Sequence, residues 1–181
     1  MHFIRHGQSH FNLGYEQSGR DPQIPDAPLT PHGFEQARGA AALLAGKGIR
    51  QIISSPYTRA LQTASVLAET LSVGIHIEPL AGERCLYSCD IGTPASVLRA
   101  QWQHLDFSAL DENWWPQMNE SSFAVSRRIK AFKEKWGAAA SSGGFVLVSH
   151  WYFLNSLTNH DFANCEVVFK ELFSGKHKSF P

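Results

Sequence analysis

Chemistry starts near the beginning of the chain, where Arg5-His6-Gly7 is followed by Gln8-Ser9 and by Asn12. An arginine directly before a histidine, with glycine behind it, is a poor recipe for core packing and a good one for aiming an imidazole at an anion. Gly7 has no Cβ, so backbone there can approach a ligand closely. A second histidine, His150, follows the apolar run Phe145-Val146-Leu147-Val148-Ser149, and Arg59 follows Ser54-Ser55-Pro56. Guanidinium groups grip phosphate oxygens through two parallel hydrogen bonds. A helix N-terminus adds free backbone N–H groups and the positive end of its dipole. Two arginines and two imidazoles gathered around a helix N-terminus describe a phosphoryl pocket.

Such a pocket needs elements that bring residues 5, 59 and 150 together. Met1-His2-Phe3-Ile4 reads as a first strand, with His6 where it ends. In open α/β sheets ligands bind just outside the carboxyl ends of the strands. Gln51-Ile52-Ile53-Ser54 reads as a buried parallel strand, Ile75-His76-Ile77 as a third, Phe145–Ser149 as the clearest and Val167-Val168-Phe169 as the last. Thr30-Pro31 forms an N-cap and first turn before Ala37, Ala40, Ala41, Leu43 and Leu44, with a stop at Gly46 or Gly48. Ser55-Pro56 reopens a helix that carries Arg59 in its first turn and Ala60, Leu61, Ala64, Leu67, Ala68 and Leu71 on one stripe. Further helices are expected from Pro94, from Glu120 to about Ala140 with Val125, Ile129, Phe132 and Trp136 inward, and around Leu154 and Leu157.

The rest reads as irregular. Residues 13–29, with Gly14, Gly19, Pro22, Pro25 and Pro28, read as a long loop, as do residues 80–93, and residues 106–119 carry Trp114-Trp115. Strands alternating with helices predict a three-layer α/β/α sandwich around a mostly parallel sheet. In that sheet all strand ends share one edge, so His6 and His150 face one another. No repeat, low-complexity tract or linker divides the chain, and residues 1–181 are expected to form one domain.

Composition narrows the function classes. Hydrophobic residues make up 43% of 181 and charged residues 18%, as in an ordinary soluble globular domain. Sixteen basic residues balance sixteen acidic ones, so no global field recruits nucleic acid and attraction for an anion has to be local. No apolar run approaches the roughly 20 residues that span a bilayer, and no secretory signal pattern precedes the first strand. Cys85, Cys89 and Cys165 lack metal-type spacing and read as reduced thiols in a cytoplasm. A cysteine-dependent phosphatase needs arginine six residues beyond its cysteine, and those positions hold Ile91, Ala95 and Glu171. No G-x-x-x-x-G-K-[ST] loop is present. His2, His6 and His10 share a fourfold spacing that suits a metal only on a helix, and the segment reads as strand into loop.

Taken together, Arg5-His6-Gly7-Gln8-Ser9 with Asn12, Leu29-Thr30 with Gly33 and Gln36-Ala37, Ser54-Ser55-Pro56 with Arg59-Ala60 and Gln62-Thr63-Ala64, and Val148-Ser149-His150 resemble the histidine phosphatase superfamily. Its members include the cofactor-dependent phosphoglycerate mutases and many small phosphatases. The resemblance runs from residue 2 to roughly 170 and implies a phosphoglycerate mutase-like fold. It implies that His6 attacks phosphorus and becomes a phosphohistidine. Arg5, Arg59 and His150 would then bind the equatorial oxygens, with Gly7 and Asn12 at the substrate. Glu83 stands where the family places its proton donor. The chain departs from the pattern in two places. The glycine-rich context after the acid is missing, with Asp90 near enough to compete for the role. Trp151-Tyr152 stands where many members have small residues, either narrowing the pocket or packing into the core.

Those roles suit the physics. An attacking imidazole has to be neutral, which neighbouring guanidinium groups favour. A proton-donating Glu83 has to be partly desolvated or close to the substrate's negative charge. Phosphoryl transfer asks for positioning and charge complementarity, and nothing in the scheme requires a metal or a cofactor. The expectation is a phosphomonoester hydrolase acting on a small phosphorylated metabolite, with no nucleic-acid or membrane partner. Its rivals are a phosphoglycerate-type mutase and a non-catalytic binder of phosphorylated ligands or inorganic phosphate. The binder would be distinguished by lacking a working acid.

Overall fold

Phe3 and Ile4 are adjacent in sequence and both fully buried, so the strand that carries them has to be covered on both faces. A computed structural model describes residues 1–171 and places that strand, β1 (His2–Arg5), inside a five-stranded sheet. The others are β2 (Gln51–Ser54), β3 (Gly74–Ile77), β4 (Phe145–Ser149) and β5 (Val167–Phe169), in the order β3-β2-β4-β1-β5. The first four run parallel, and β5 closes one edge antiparallel to β1.

Side chains alternate across the strands and sort into two cores. Phe3, Ile53 and Leu147 face α5 (Ser122–Ser141) and α6 (Trp151–Thr158), meeting Val125, Ile129, Phe132, Phe153 and Leu154. Ile4, Ile52, Val146 and Val148 face α2 (Pro31–Leu44) and α3 (Thr58–Leu71). The inward residues of those two helices are largely alanines (Ala37, Ala40, Ala41, Ala60, Ala64), which let them lie close to each other and to the sheet. Each fully buried Leu, Ile or Phe in these layers contributes about 1.5–3 kcal/mol relative to exposure. This is the three-layer α/β/α sandwich that the alternation predicts. A third cluster, with Leu98 and Phe107 at its centre, packs α4 (Ala95–Gln101) against the β3 side.

The largest departure from expectation lies in residues 13–29. Their first part belongs to a helix, α1 (His10–Ser18). Ser9 Oγ accepts from Asn12 N–H at 3.2 Å while Asn12 Oδ1 accepts from Ser9 N–H at 3.0 Å, a reciprocal cap that starts the helix. Gly19 ends it at φ +67°, a conformation that glycine adopts without strain. Gly14, which suggests a loop, lies inside the helix, where a Cβ would come 3.0 Å from the Pro22 side chain. Smaller shifts follow from capping. Helix α3 begins at Thr58, because Tyr57 is still extended. Helix α5 begins at Ser122, because Ser121 Oγ caps Ala124 N–H, which leaves Glu120 outside to pair with Arg128 at 2.8 Å. The loop at 80–93 holds a short 3₁₀ turn, Ser88–Asp90, and a second one, Pro79–Ala81, leads into it. Among the described residues no helix is long and apolar enough to cross a membrane.

Candidate active site

Strand register alone brings the distant residues together. Arg5 pairs with Ser149 and Ser54 with Val148. One residue further on, His6 N–H donates to Ser149 C=O at 3.0 Å and Ser55 N–H to Val148 C=O at 3.1 Å. His6, His150 and Ser55 therefore leave three neighbouring strands side by side. The two imidazole rings lie 5.2 Å apart, and His150 Nε2 is 2.8 Å from Ser55 Oγ.

The tautomer of His6 follows from its partners. Nδ1 sits 2.7 Å from the Gly7 carbonyl oxygen, an acceptor only, so Nδ1 carries the proton. Nε2 keeps its lone pair, and Arg59 Nε–H donates to it at 3.2 Å. Burial, then Arg59, then Arg5 hold the ring's pKa well below the ordinary 6.5, so the imidazole is neutral. The backbone around it is pinned: Asn164 Nδ2 donates to His6 C=O at 2.9 Å, and Gly7 N–H donates to Thr63 Oγ1 at 3.1 Å.

Arg59 is 2% exposed and held from three sides. Nη1 donates to Cys89 C=O at 2.7 Å, Nη2 donates to Asp90 Oδ1 at 3.2 Å, and the guanidinium lies 4.6 Å from the centre of the Tyr57 ring. Arg5 donates through Nη1 to Phe162 C=O at 3.0 Å, while its buried Nε has no hydrogen-bond partner among the described residues.

The geometry corrects one expectation and adds a packing role at two further positions. The N-terminus of α3 is not open to an anion, because Asp26 fills it: Thr58 N–H donates to Oδ1 at 2.9 Å, and Thr58 and Thr93 hydroxyls each donate to Oδ2 at 2.6 Å. From that turn the Arg59 side chain reaches the cavity. Gly7 is required by packing, since a Cβ there would stand 2.5 Å from the Gly33 carbonyl oxygen. His150 is fully buried against His6, between that ring at 5.2 Å and the Tyr57 ring at 5.0 Å; its Nδ1 has no partner among the described residues.

Arg5, His6, Asn12, Arg59, Glu83 and Asp90 do converge on one cavity of about 530 Å³. Glu83 also serves α6, whose first amides it accepts: Tyr152 N–H at 3.1 Å and Phe153 N–H at 3.3 Å, with Arg84 N–H at 2.8 Å. Burial and the Asp90 charge raise its pKa above the ordinary 4.5, against the lowering effect of the Arg84 and Tyr152 amides. Asp90 is committed elsewhere. Its Oδ2 accepts from Leu86 and Tyr87 N–H, both at 3.0 Å, and its Oδ1 faces Arg59. Burial holds the Cys85 thiol at about 11 and lifts Cys89 further, so neither supplies a thiolate. His2 lies in β1, His6 in the turn and His10 at the start of α1, so those three do not share a helix face.

The buried lining residues form the floor; Tyr15, Leu86, Tyr87 and Trp151 are exposed and form the mouth, with Arg84 and Tyr152 half-buried beside them and Phe11 buried beneath Tyr15 and Tyr87. Trp151 and Tyr152 both border the cavity; Trp151 Nε1–H donates to Asp161 at 2.6 Å, while Tyr152 also packs against the core beneath α5 and α6. Trp114 packs elsewhere, edge-on to Tyr57 at 4.7 Å with its N–H on Thr93 C=O. Asp26, Tyr57, Thr63 and Asn164 escape sequence reasoning as site residues. Tyr57 stands beside the Ser54-Ser55-Pro56 segment and Thr63 within Gln62-Thr63-Ala64, while Asp26 and Asn164 carry no local signal.

A neutral imidazole at a sheet edge, set between two guanidinium groups and beside a carboxyl of raised pKa, defines a protein built for chemistry on an anionic ester. The model of the histidine phosphatase superfamily (branch 1) matches residues 1–167, and the chain belongs to that superfamily. It is 30% identical over 168 residues to a glucosyl-3-phosphoglycerate phosphatase of Mycolicibacterium vanbaalenii, covering 86% of this chain and 70% of that protein. A probable phosphoglycerate mutase of Proteus mirabilis is 27% identical, over 87% of this chain and 72% of its own length. The fold is shared with the mycobacterial glucosyl-3-phosphoglycerate phosphatase solved in complex with VO3, at a TM-score of 0.65 and 22% identity over 92% of this chain and 88% of that one.

Proposed function

We propose that this single-domain chain hydrolyses a small phosphomonoester in two steps through a phosphohistidine on His6 Nε2, without a metal. The observation that carries the reading is the His6 imidazole itself: neutral, with its proton fixed on Nδ1 by Gly7 C=O and its Nε2 lone pair at the floor of the cavity. In the first step Nε2 bonds to phosphorus as the phosphorus–oxygen bond to the leaving alcohol breaks, and Glu83 gives that oxygen its proton. In the second step the Glu83 carboxylate takes a proton from water, the water oxygen bonds to phosphorus, and the phosphorus–nitrogen bond breaks to release inorganic phosphate. Arg59 Nε–H passes from His6 to a phosphoryl oxygen as the lone pair is used, and Arg5 meets a second oxygen with Asn12 beside it.

His150 enters this scheme by holding the His6 ring and Ser55 in place. The raised pKa of Glu83 favours it over Asp90 as the acid, since Asp90 is tied to Arg59. A phosphoglycerate-type mutase has to grip a second anionic group, and the mouth offers Arg84 alone among the described lining residues. Purified protein should hydrolyse p-nitrophenyl phosphate in the presence of EDTA, be inhibited by vanadate, and lose turnover in His6→Ala. Clean protein that turns over no phosphomonoester at all would refute the reading.

A further inference from the structure

The cavity changes character from floor to mouth. Its floor is charged, whereas its mouth is walled by two separate aromatic clusters that share no ring contact. One joins Phe11, Tyr15 and Tyr87, with centroids 5.5–5.8 Å apart. The other joins Trp151 and Tyr152 at 6.3 Å, with the Arg84 guanidinium 4.8 Å from the centre of the Tyr152 ring. Tyr15, Tyr87 and Trp151 are each about 40% exposed, and all three border the same space.

Charge at the mouth points the same way. Besides Arg5 and Arg59 in the floor, Arg84 is the one cation of the described lining; its Nε–H is already given to Glu120 C=O at 2.8 Å. A substrate with a second phosphate or a carboxylate on its leaving group would find few donors there, because Arg5 and Arg59 lie in the floor with the phosphoryl group. A flat neutral ring would find aromatic faces and a guanidinium plane.

We propose that the leaving group of the natural substrate carries a planar, uncharged aromatic ring, which the two clusters hold while the floor holds the phosphoryl group. This rests on the hydrolase reading and adds the class of alcohol released. The ring can arrive on a nucleoside or on a simple aryl alcohol, and both present the same stacking face.

The test compares substrates that share their reacting end. Adenosine 5′-monophosphate and ribose 5-phosphate release the same ribosyl oxygen and differ by the base; benzyl and ethyl phosphate make the corresponding pair without a sugar. Stacking of a base on aromatic side chains corresponds to roughly 5- to 150-fold, so kcat/KM should favour the ring-bearing member by at least about fivefold in one pair or both. The larger ratio identifies the source of the ring. Tyr87→Ala and Trp151→Ala, which truncate exposed side chains, should each bring that ratio down toward one. Ratios near one in both pairs, a preference for 3-phosphoglycerate over all four, or ratios untouched by both substitutions would overturn the proposal. If no compound is hydrolysed, p-nitrophenyl phosphate included, it is the hydrolase reading that fails.

Discussion

Asp90→Asn separates an anchoring aspartate from a catalytic one. The Arg59–Asp90 pair is almost fully buried, with side chains 3% and 2% exposed. Asp90 Oδ2 accepts two backbone amides, so an asparagine that keeps its oxygen there turns its amide nitrogen toward the Arg59 guanidinium. Donor then faces donor, and a buried cation loses its counter-charge. Breaking a buried ion pair by removing one partner costs about 3–5 kcal/mol. For a chain of this size each kcal/mol moves the melting temperature by about 2–4 °C, so the variant should melt roughly 6–20 °C below wild type. Phosphate offers Arg59 the missing negative charge. The gap should therefore narrow in saturating inorganic phosphate, and phosphate should inhibit the variant at lower concentration than wild type. Loss of a general acid would instead cost about 10²–10⁴-fold in rate. Here kcat/KM for an alkyl phosphate, whose leaving oxygen needs a proton, should stay within about tenfold of wild type. Calorimetric melting with and without phosphate, beside steady-state kinetics, decides the matter. Unchanged melting, or a thousandfold rate loss in a protein that melts normally, would refute the reasoning.

Other perturbations probe other contacts. Glu83→Gln should depend on the leaving group: a loss of about 10²–10⁴ for an alkyl phosphate, whose alkoxide needs a proton, and a much smaller loss for p-nitrophenyl phosphate. Equal losses on both would show that position 83 acts only by capping α6. Gly7→Ala forces a Cβ against the Gly33 carbonyl and should cost at least about 1–3 kcal/mol in chemical denaturation; a variant as stable as wild type would contradict the close approach. The folded pKa values of His6 and His150 lie well below 6.5, so their stabilising contribution is present above pH 6.5 and is lost as pH falls beneath it. Each such group changes stability by about 1.4 kcal/mol per pH unit, and Glu83, raised, opposes one of them in its own window. Denaturant titrations should therefore show unfolding free energy falling by about 1.4–2.7 kcal/mol per unit below pH 6.5; a flat profile from pH 7 to 5.5 would contradict the neutral buried pair.

What could be read from the sequence was what depends on period and punctuation. The adjacent apolar residues Phe3-Ile4, Ile52-Ile53 and Val146–Val148 mark strands buried on both faces, and the ends of those strands place His6, Ser55 and His150 at one edge. Thr30-Pro31 fixes the start of α2 to the residue. Helix α1 was hidden because Gly14 and Gly19 look like loop residues, whereas its reciprocal Ser9–Asn12 cap and left-handed stop become visible only as geometry. The long-range partners of the site residues were hidden for a different reason. Asp26 reaches Thr58, Asn164 reaches His6 and Asp90 reaches Arg59 across loops, where no periodicity links one residue to the next. For the same reason an open helix N-terminus was expected and a capped one found. His150 was placed beside His6 correctly by strand register, but register carries no information on which side chain faces the cavity.

The central claim is covalent attachment of phosphoryl to one nitrogen. Wild-type protein should be mixed with a good phosphomonoester, quenched within milliseconds in base to preserve phosphoramidate bonds, digested and mapped by tandem mass spectrometry. Phosphoryl is predicted on the peptide that contains His6, attached at Nε2, and absent from the same digest of His6→Ala. Active turnover with no phosphoryl on His6, or with the label on another residue, would contradict the account.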